Sequence, residues 1–145
     1  MSLKLDKIQM VKASCLSFSV KNKETEEIKG FIFDYKTETK ADAENKLVFI
    51  QLKVEISGKL PEKEGQVNLG NFEFGFVYRV ENLDELIQLE DDHRYLDPML
   101  QMSLLGIAFS TARGIILTKA ANTAISEAYL PILNPALLLG EKTEV

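Results

Sequence analysis

The sequence holds one cysteine, one histidine and no tryptophan in 145 residues. Cys15 alone cannot form an intrachain disulfide, which fits a reducing compartment, and it reads as a small hydrophobe of a strand. With His93 as the single histidine, the usual zinc sets and most nucleophile–base pairs are out of reach. CxxC, GxGxxG and GxxxxGK[ST] motifs are missing, so nothing supports a nucleotide, and no cofactor is expected. Positive charge is short as well. The 17 Lys and Arg stand against 22 Asp and Glu, a net charge of −5 and the wrong sign for a chain that holds phosphates, so no nucleic-acid partner is expected. No apolar run of signal-peptide length opens the sequence. The longest uncharged apolar stretch, Pro98 to Ala112, is 15 residues, and a membrane span needs ~20. A soluble, cytoplasmic protein without membrane insertion is the expectation.

The densest polar cluster, Glu90-Asp91-Asp92-His93-Arg94, lacks the alternating ligands and central glycine of a calcium loop and reads as a solvated loop. No carboxylate pair is marked out for acid–base work, which needs one partner in an apolar pocket. The chain is not expected to be an enzyme.

What is present is a large apolar share, 46% hydrophobic with 27% charged residues, enough for one globular domain over 1–145. The first part, about 5–80, reads as strands. Leu16, Phe18 and Val20 alternate at the end of a strand starting near Leu5, followed by a charged loop, Lys21 to Glu27. Gly30 to Thr39 carries Phe31, Phe33 and Tyr35 on one face, and Thr39 to Lys46 is turn-like. Lys46 to Ser57 places Val48, Ile50, Leu52, Val54 and Ile56 on one face, and a one-residue slip would put all of them in water. Gly58 to Gln66 reads as a loop around Pro61 and Gly65. Asn68 to Val80 alternates Phe72, Phe74, Phe76, Tyr78 and Val80. Four such strands predict an antiparallel sheet with one buried face.

The period changes in the helical part, about 83–139. Asn82 reads as the cap of a short helix, Leu83 to Leu89, and Asp97-Pro98 starts a long helix ending near Asn122. The long helix is apolar nearly all round. Leu100, Leu104, Ile107, Ala108, Ala112 and Ile115 suit a sheet, whereas Met102, Leu105, Phe109, Ile116 and Leu117 fall on other sides. Such a helix must be covered on more than one side. Ala124 to Val145 reads as too short for that task, so a second subunit is expected against Met102, Leu105, Phe109 and Ile116.

Seven ring-bearing residues on two strands are hard to hide under one helix, so some of Phe31, Phe33, Phe72, Phe74 and Phe76 are expected to line a groove. Phe74→Ala is then expected to weaken binding more than folding. The segment from Ala124 to Pro135, with Tyr129, Leu130, Ile132 and Leu133, is apolar for a connection, and its two prolines exclude a continuous helix. It packs back on the sheet or walls a cleft, and Ala136 to Leu139 forms one helical turn ended by Gly140.

This order of elements resembles the export chaperone SecB and its relatives. Ala108-Phe109-Ser110-Thr111-Ala112-Arg113 resembles the family's aromatic–proline–x–Ala–Arg turn of the long helix, with Ser110-Thr111 in place of the proline. Leu130-Pro131-Ile132-Leu133-Asn134-Pro135-Ala136-Leu137-Leu138 resembles its proline-containing crossover and final helix, here cut short at Gly140. The resemblance spans roughly Ser17 to Leu139. It implies an α+β, SecB-like domain and a homo-oligomer, a dimer or a dimer of dimers packed through the long helices. It also implies an ATP-independent holdase whose grooves hold unfolded or preprotein-like clients. Phe31, Phe72 and Phe74, with Leu130, Ile132, Leu133 and Leu138, fall near such a groove by position.

Family members that deliver clients to the translocase motor SecA use an acidic sheet face and a longer C-terminal tail. Here Gly75 stands where one of those acids is placed, and Glu141 to Val145 is the tail. A SecB-like chaperone dedicated to an antitoxin is therefore the alternative to Sec-dependent export. A lipid-like small-ligand binding module is the alternative of another class.

Overall fold

Four long alternating runs become four antiparallel strands. The computed structural model describes residues 3–22, 27–61 and 65–145, and in it β1 spans Ile8–Val20, β2 Phe31–Asp42, β3 Leu47–Lys59 and β4 Gln66–Val80. They form one sheet in the order β1-β4-β3-β2. Residues 23–26 of the expected charged loop and 62–64 of the expected loop around Pro61 lie outside the described residues.

The alternation decides which face is covered. Val48, Ile50, Leu52, Val54 and Ile56 of β3 are buried, as are Phe72, Phe74, Phe76, Tyr78 and Val80 of β4. Each fully buried side chain of this size contributes about 1.5–3 kcal/mol. The rings stack down β4 with centroids 6.1 Å apart for Phe72–Phe74, 6.2 Å for Phe74–Phe76 and 6.5 Å for Phe76–Tyr78.

The strand ends differ from the sequence expectation for identifiable reasons. A 3₁₀ turn, Leu5–Lys7, precedes β1, so the strand begins at Ile8. β2 continues past Thr39 to Asp42, in unbroken register with β3 down to Asp42↔Leu47. Its inward positions there are Thr37, Thr39 and Ala41, whose polar or small side chains imitate a turn. β3 continues through Gly58 to Lys59. A Cβ at Gly58 would lie 2.8 Å from Leu69 Cδ1 and 2.9 Å from Ile28 Cδ1, so this glycine serves close packing and not a bend. β1 carries two register shifts against β4, at Val11 and at Leu16. Each bulge resets the inside–outside alternation of the strand.

The expected helix Leu83–Leu89 is a 3₁₀ turn, Leu83–Leu86, followed by a hairpin. β5 (Ile87–Glu90) pairs with β6 (His93–Leu96) across Asp91 and Asp92. These two have φ of 51° and 63°. Positive φ at both central residues is the geometry whose twist suits a two-residue hairpin, and Asp tolerates it. The acidic cluster is thus a hairpin turn. The C-terminal tail adds to the same small sheet, with Tyr95 bridged to Glu144.

The long helix, α1, spans Pro98–Lys119. The Asp97 side chain accepts a hydrogen bond from the Met99 N–H at 3.0 Å, and Pro98 occupies the first turn, where its missing N–H costs nothing. The helix stops at Ala120, and Asn122 takes a left-handed φ of 63°. By length and composition alone it would cross a membrane, with a mean hydropathy of 1.4. In the fold it is a core helix over the sheet, and Tyr78 donates to the Leu104 carbonyl at 3.3 Å.

The buried arc of α1 is wider than expected and turned to one side. Leu100, Leu104, Ala108 and Ala112 lie on the sheet as expected. Gln101, Leu105, Phe109 and Ile116 are buried with them, whereas Ile107 is exposed. Leu105, Phe109 and Ile116, expected at a subunit interface, are therefore covered by their own chain, and Met102 is half-buried. The connection after α1 is long enough to help, because Ile125, Ala128 and Leu130 are buried too. Pro135 reaches the helix at Gly106, where a Cβ would meet its ring at 3.1 Å. What remains uncovered is a stripe of Met99, Ile107, Ser110, Gly114, Leu117 and Thr118.

Candidate functional site

The apolar connection between α1 and the C-terminus is held against the helix by one cation. Arg113 donates from Nε to the Leu130 carbonyl and from Nη2 to the Pro131 carbonyl, each at 3.1 Å. Its guanidinium carbon lies 5.5 Å from the centre of the Phe109 ring. Hydrogen bonds from a charged donor are stronger than neutral ones, and two carbonyls suit the guanidinium fork. The Asn134 side chain then accepts from the Ala136 N–H at 3.1 Å and starts a 3₁₀ turn, Pro135–Leu138. The Thr37 hydroxyl of β2 donates to the Leu138 carbonyl at 3.2 Å, which ties this turn to the sheet.

These contacts place the apolar segment from Leu130 to Leu138 along α1 and its last turn beside β2, and this strip is the candidate site. Leu130 is buried as the anchor. Phe31, Phe33, Leu133 and Leu138 are half-buried against the core. Tyr129 is 63% exposed, Leu137 75% and Ile132 91%. Of the residues expected in a groove, Phe72, Phe74 and Phe76 are not at this surface. They are 3%, 0% and 1% exposed beneath α1. Leu137 belongs to the strip although the sequence did not single it out; its position one residue before Leu138 on a short turn was the available signal.

Tyr35 of β2 joins the strip to the core. Its ring meets Phe109 edge-on with centroids 5.2 Å apart, and its buried hydroxyl has no hydrogen-bond partner among the described residues. Burial pushes its phenol up to about 12, against a smaller opposing pull from Arg113. Burial likewise raises Tyr78 well above the usual tyrosine range. Both phenols hold their proton more tightly in the folded chain than in the unfolded one. Their contribution is intact below pH ~10 and is lost as pH rises through about 12 for Tyr35, because the unfolded chain ionises first. Tyr35→Phe should flatten the fall in urea midpoint over that interval. Parallel curves for the two proteins would remove Tyr35 as a cause.

The outer face of the sheet is the second candidate surface. Two open depressions of about 780 and 360 Å³ lie along it. Their linings carry four carboxylates (Asp34, Glu38, Glu55, Glu73) and four ammonium groups (Lys12, Lys36, Lys40, Lys53), so the depressions have no net sign. Leu16, lifted out by the second β1 bulge, roofs Gly75, where a Cβ would sit 3.3 Å from Leu16 Cδ1. Leu16 is 57% and Phe49 39% exposed. The β1 strand at the edge of this sheet is open to solvent along most of its length, Cys15 being half-buried.

Four antiparallel strands, one long helix laid on their inner face and a capped turn after an apolar connection make a SecB-like α+β fold. Among solved structures, the chain is similar to the Mycobacterium tuberculosis Rv1957 SecB-like chaperone, in complex with a ChAD peptide from the Rv1956 HigA1 antitoxin. The match has a TM-score of 0.60 and 16% sequence identity, and it covers 88% of this chain and 91% of that one. No family model matches the sequence, and no curated protein does.

Proposed function

We propose that this protein is an ATP-independent, SecB-like holdase of the cytoplasm, not an enzyme, and that it binds unfolded polypeptide on the strip between β2 and the connection. One observation carries the reading. The chain uses Arg113 and one turn, capped by Asn134 and bonded to Thr37, to hold Tyr129, Ile132 and Leu137 in water, 63%, 91% and 75% exposed. Large apolar side chains kept exposed close together in sequence mark an interaction site when they form a patch. Hydrophobic burial is non-directional, so such a strip accepts many sequences.

Phe31, Phe33, Leu133 and Leu138 form the floor, and Tyr129, Leu137 and Ile132 form the rim, with Leu130 as the buried anchor. A second copy covers the Met99–Ile107–Leu117 stripe of α1 and the open β1 edge, and several strips on one oligomer add by avidity. The electrically balanced, partly apolar outer sheet face favours a dedicated client, such as an antitoxin, over docking to the motor SecA. The chaperone–antitoxin peptide complex of the similar fold points the same way.

The test is suppression of aggregation by a thermally unfolded client, with mass followed by light scattering. Wild type should suppress at micromolar concentration as an oligomer, and Ile132→Asp with Tyr129→Asp should lose most of the effect while keeping the same melting temperature. Full suppression by the double variant would remove the strip from the mechanism. No suppression of any client by a folded wild type would remove the holdase reading.

A further inference from the structure

The last residues of the chain complete a sheet that the sequence pattern does not announce. The Leu96 N–H donates to the Thr143 carbonyl and the Val145 N–H to the Arg94 carbonyl, both at 2.9 Å. Thr143 is buried, and Val145 packs on the core. Around this ladder, Glu144 Oε1 lies 2.8 Å from His93 Nδ1, and Lys142 pairs with Glu90 and sits 5.5 Å from the Tyr95 ring centre. Both pairs are more than half exposed, where solvent screens most of their attraction. Two ladder bonds, two exposed pairs and the packing of Thr143 and Val145 hold these residues on β6. Beside it lies an open cleft of about 610 Å³, between the tail and the Thr37–Ala41 part of β2, which carries Thr37, the residue that ties the Leu138 turn to the sheet.

We propose that the edge of β6 is a second polypeptide-binding site, which the chain's own residues 143–145 keep closed. Unpaired strand edges accept any extended segment through main-chain hydrogen bonds, and alternate side chains set the preference. The seated tail supplies that preference. The site takes a basic residue against Glu90 and Tyr95, then a small β-branched residue in the Thr143 position. An acidic residue beside His93 and an aliphatic one in the Val145 position complete the pattern. That the incoming strand is a segment of a client rests on the holdase reading. A client lying along the strip would enter the cleft and replace the tail.

Two measurements test this. In the first, the acetylated peptide Gly-Glu-Lys-Thr-Glu-Val, the sequence of residues 140–145, is titrated into a chain ended after Gly140. The Arg94 and Leu96 amide resonances are followed. Saturable shifts are expected, at least tenfold weaker in the full chain. A peptide whose last residue is proline lacks the donor and should bind far less. No binding to the folded shortened chain, or equal binding to the full chain, overturns the proposal. Should the shortened chain not fold, full-length Val145→Pro replaces it. Leu96 amide exchange should then quicken at least tenfold, and an unchanged rate overturns the proposal.

In the second, permanently unfolded carboxymethylated lysozyme is added to the full chain. The Val145 amide should lose protection at least tenfold while Leu96 keeps its own. Client-induced shifts in β2 and the connection with Val145 unmoved would overturn the displacement and leave the holdase reading standing. Peptide binding in the first measurement with no lysozyme bound in the second would support the β6 site and remove a general holdase in favour of a dedicated client.

Discussion

Phe74→Ala is expected to unfold the protein readily and to leave client binding by the surviving folded fraction close to wild type. Phe74 is fully buried, stacked between Phe72 and Phe76, and flanked across the sheet by Cys15 and Leu52. Truncating such a ring removes its transfer free energy and leaves a cavity between two rigid strands, together about 3–5 kcal/mol. Set against a typical stability of about 5–15 kcal/mol, that is a large share. A drop in Tm on the order of 10 °C or more is expected. Phe74→Leu should cost much less, because volume is partly kept. The aromatic alternation suggests a groove position for this ring, and its full burial makes it a core residue instead. An unchanged Tm together with lost client binding would return it to the surface.

Arg113→Met should separate the two roles in the opposite sense. The apolar stem of the side chain is kept, while both hydrogen bonds to the Leu130 and Pro131 carbonyls go. Hydrogen bonds from a charged donor are worth about 1.5–3 kcal/mol each, and the one to Pro131 is solvent-exposed, so a loss of about 2–4 kcal/mol is expected. It should be concentrated in the connection. Amides of residues 129–133 should exchange faster and protease should cut there first, while β3 and β4 stay protected. Client affinity should fall at least tenfold, because Tyr129 and Ile132 are no longer held in place. Arg113→Lys should recover only part, since an ammonium cannot fork to two carbonyls. Unchanged protection of residues 129–133 would show that the connection is held by packing alone.

The sheet was readable because period-two alternation is a strict code. Val48 to Ile56 and Phe72 to Val80 each place every second residue inward, and one covered face is enough to fix the register. Asp97-Pro98 was readable for a similar local reason, a cap followed by a residue without an N–H. The sides of α1 were not. A helix apolar nearly all round gives no preferred direction, so the choice between Ile107 and Phe109 rests on Tyr35 and Leu130, which lie far away in sequence. The β5–β6 hairpin was missed because Asp91-Asp92 supplies by tolerance the positive φ that Asn-Gly would have advertised. Of the site, the apolar connection and Phe31 and Phe33 were visible as composition. Arg113 was seen only as part of a motif, and its partners, two main-chain carbonyls, leave no trace in a sequence.

The two depressions on the outer sheet face carry as many carboxylates as ammonium groups, so the five-charge acidic excess of the chain resides outside them. A charged molecule settling into them meets little local pull or push, and what steering it feels comes from the rest of the chain. That remaining steering fades as ionic strength is raised, so at physiological salt encounters there would proceed near the unsteered diffusional pace.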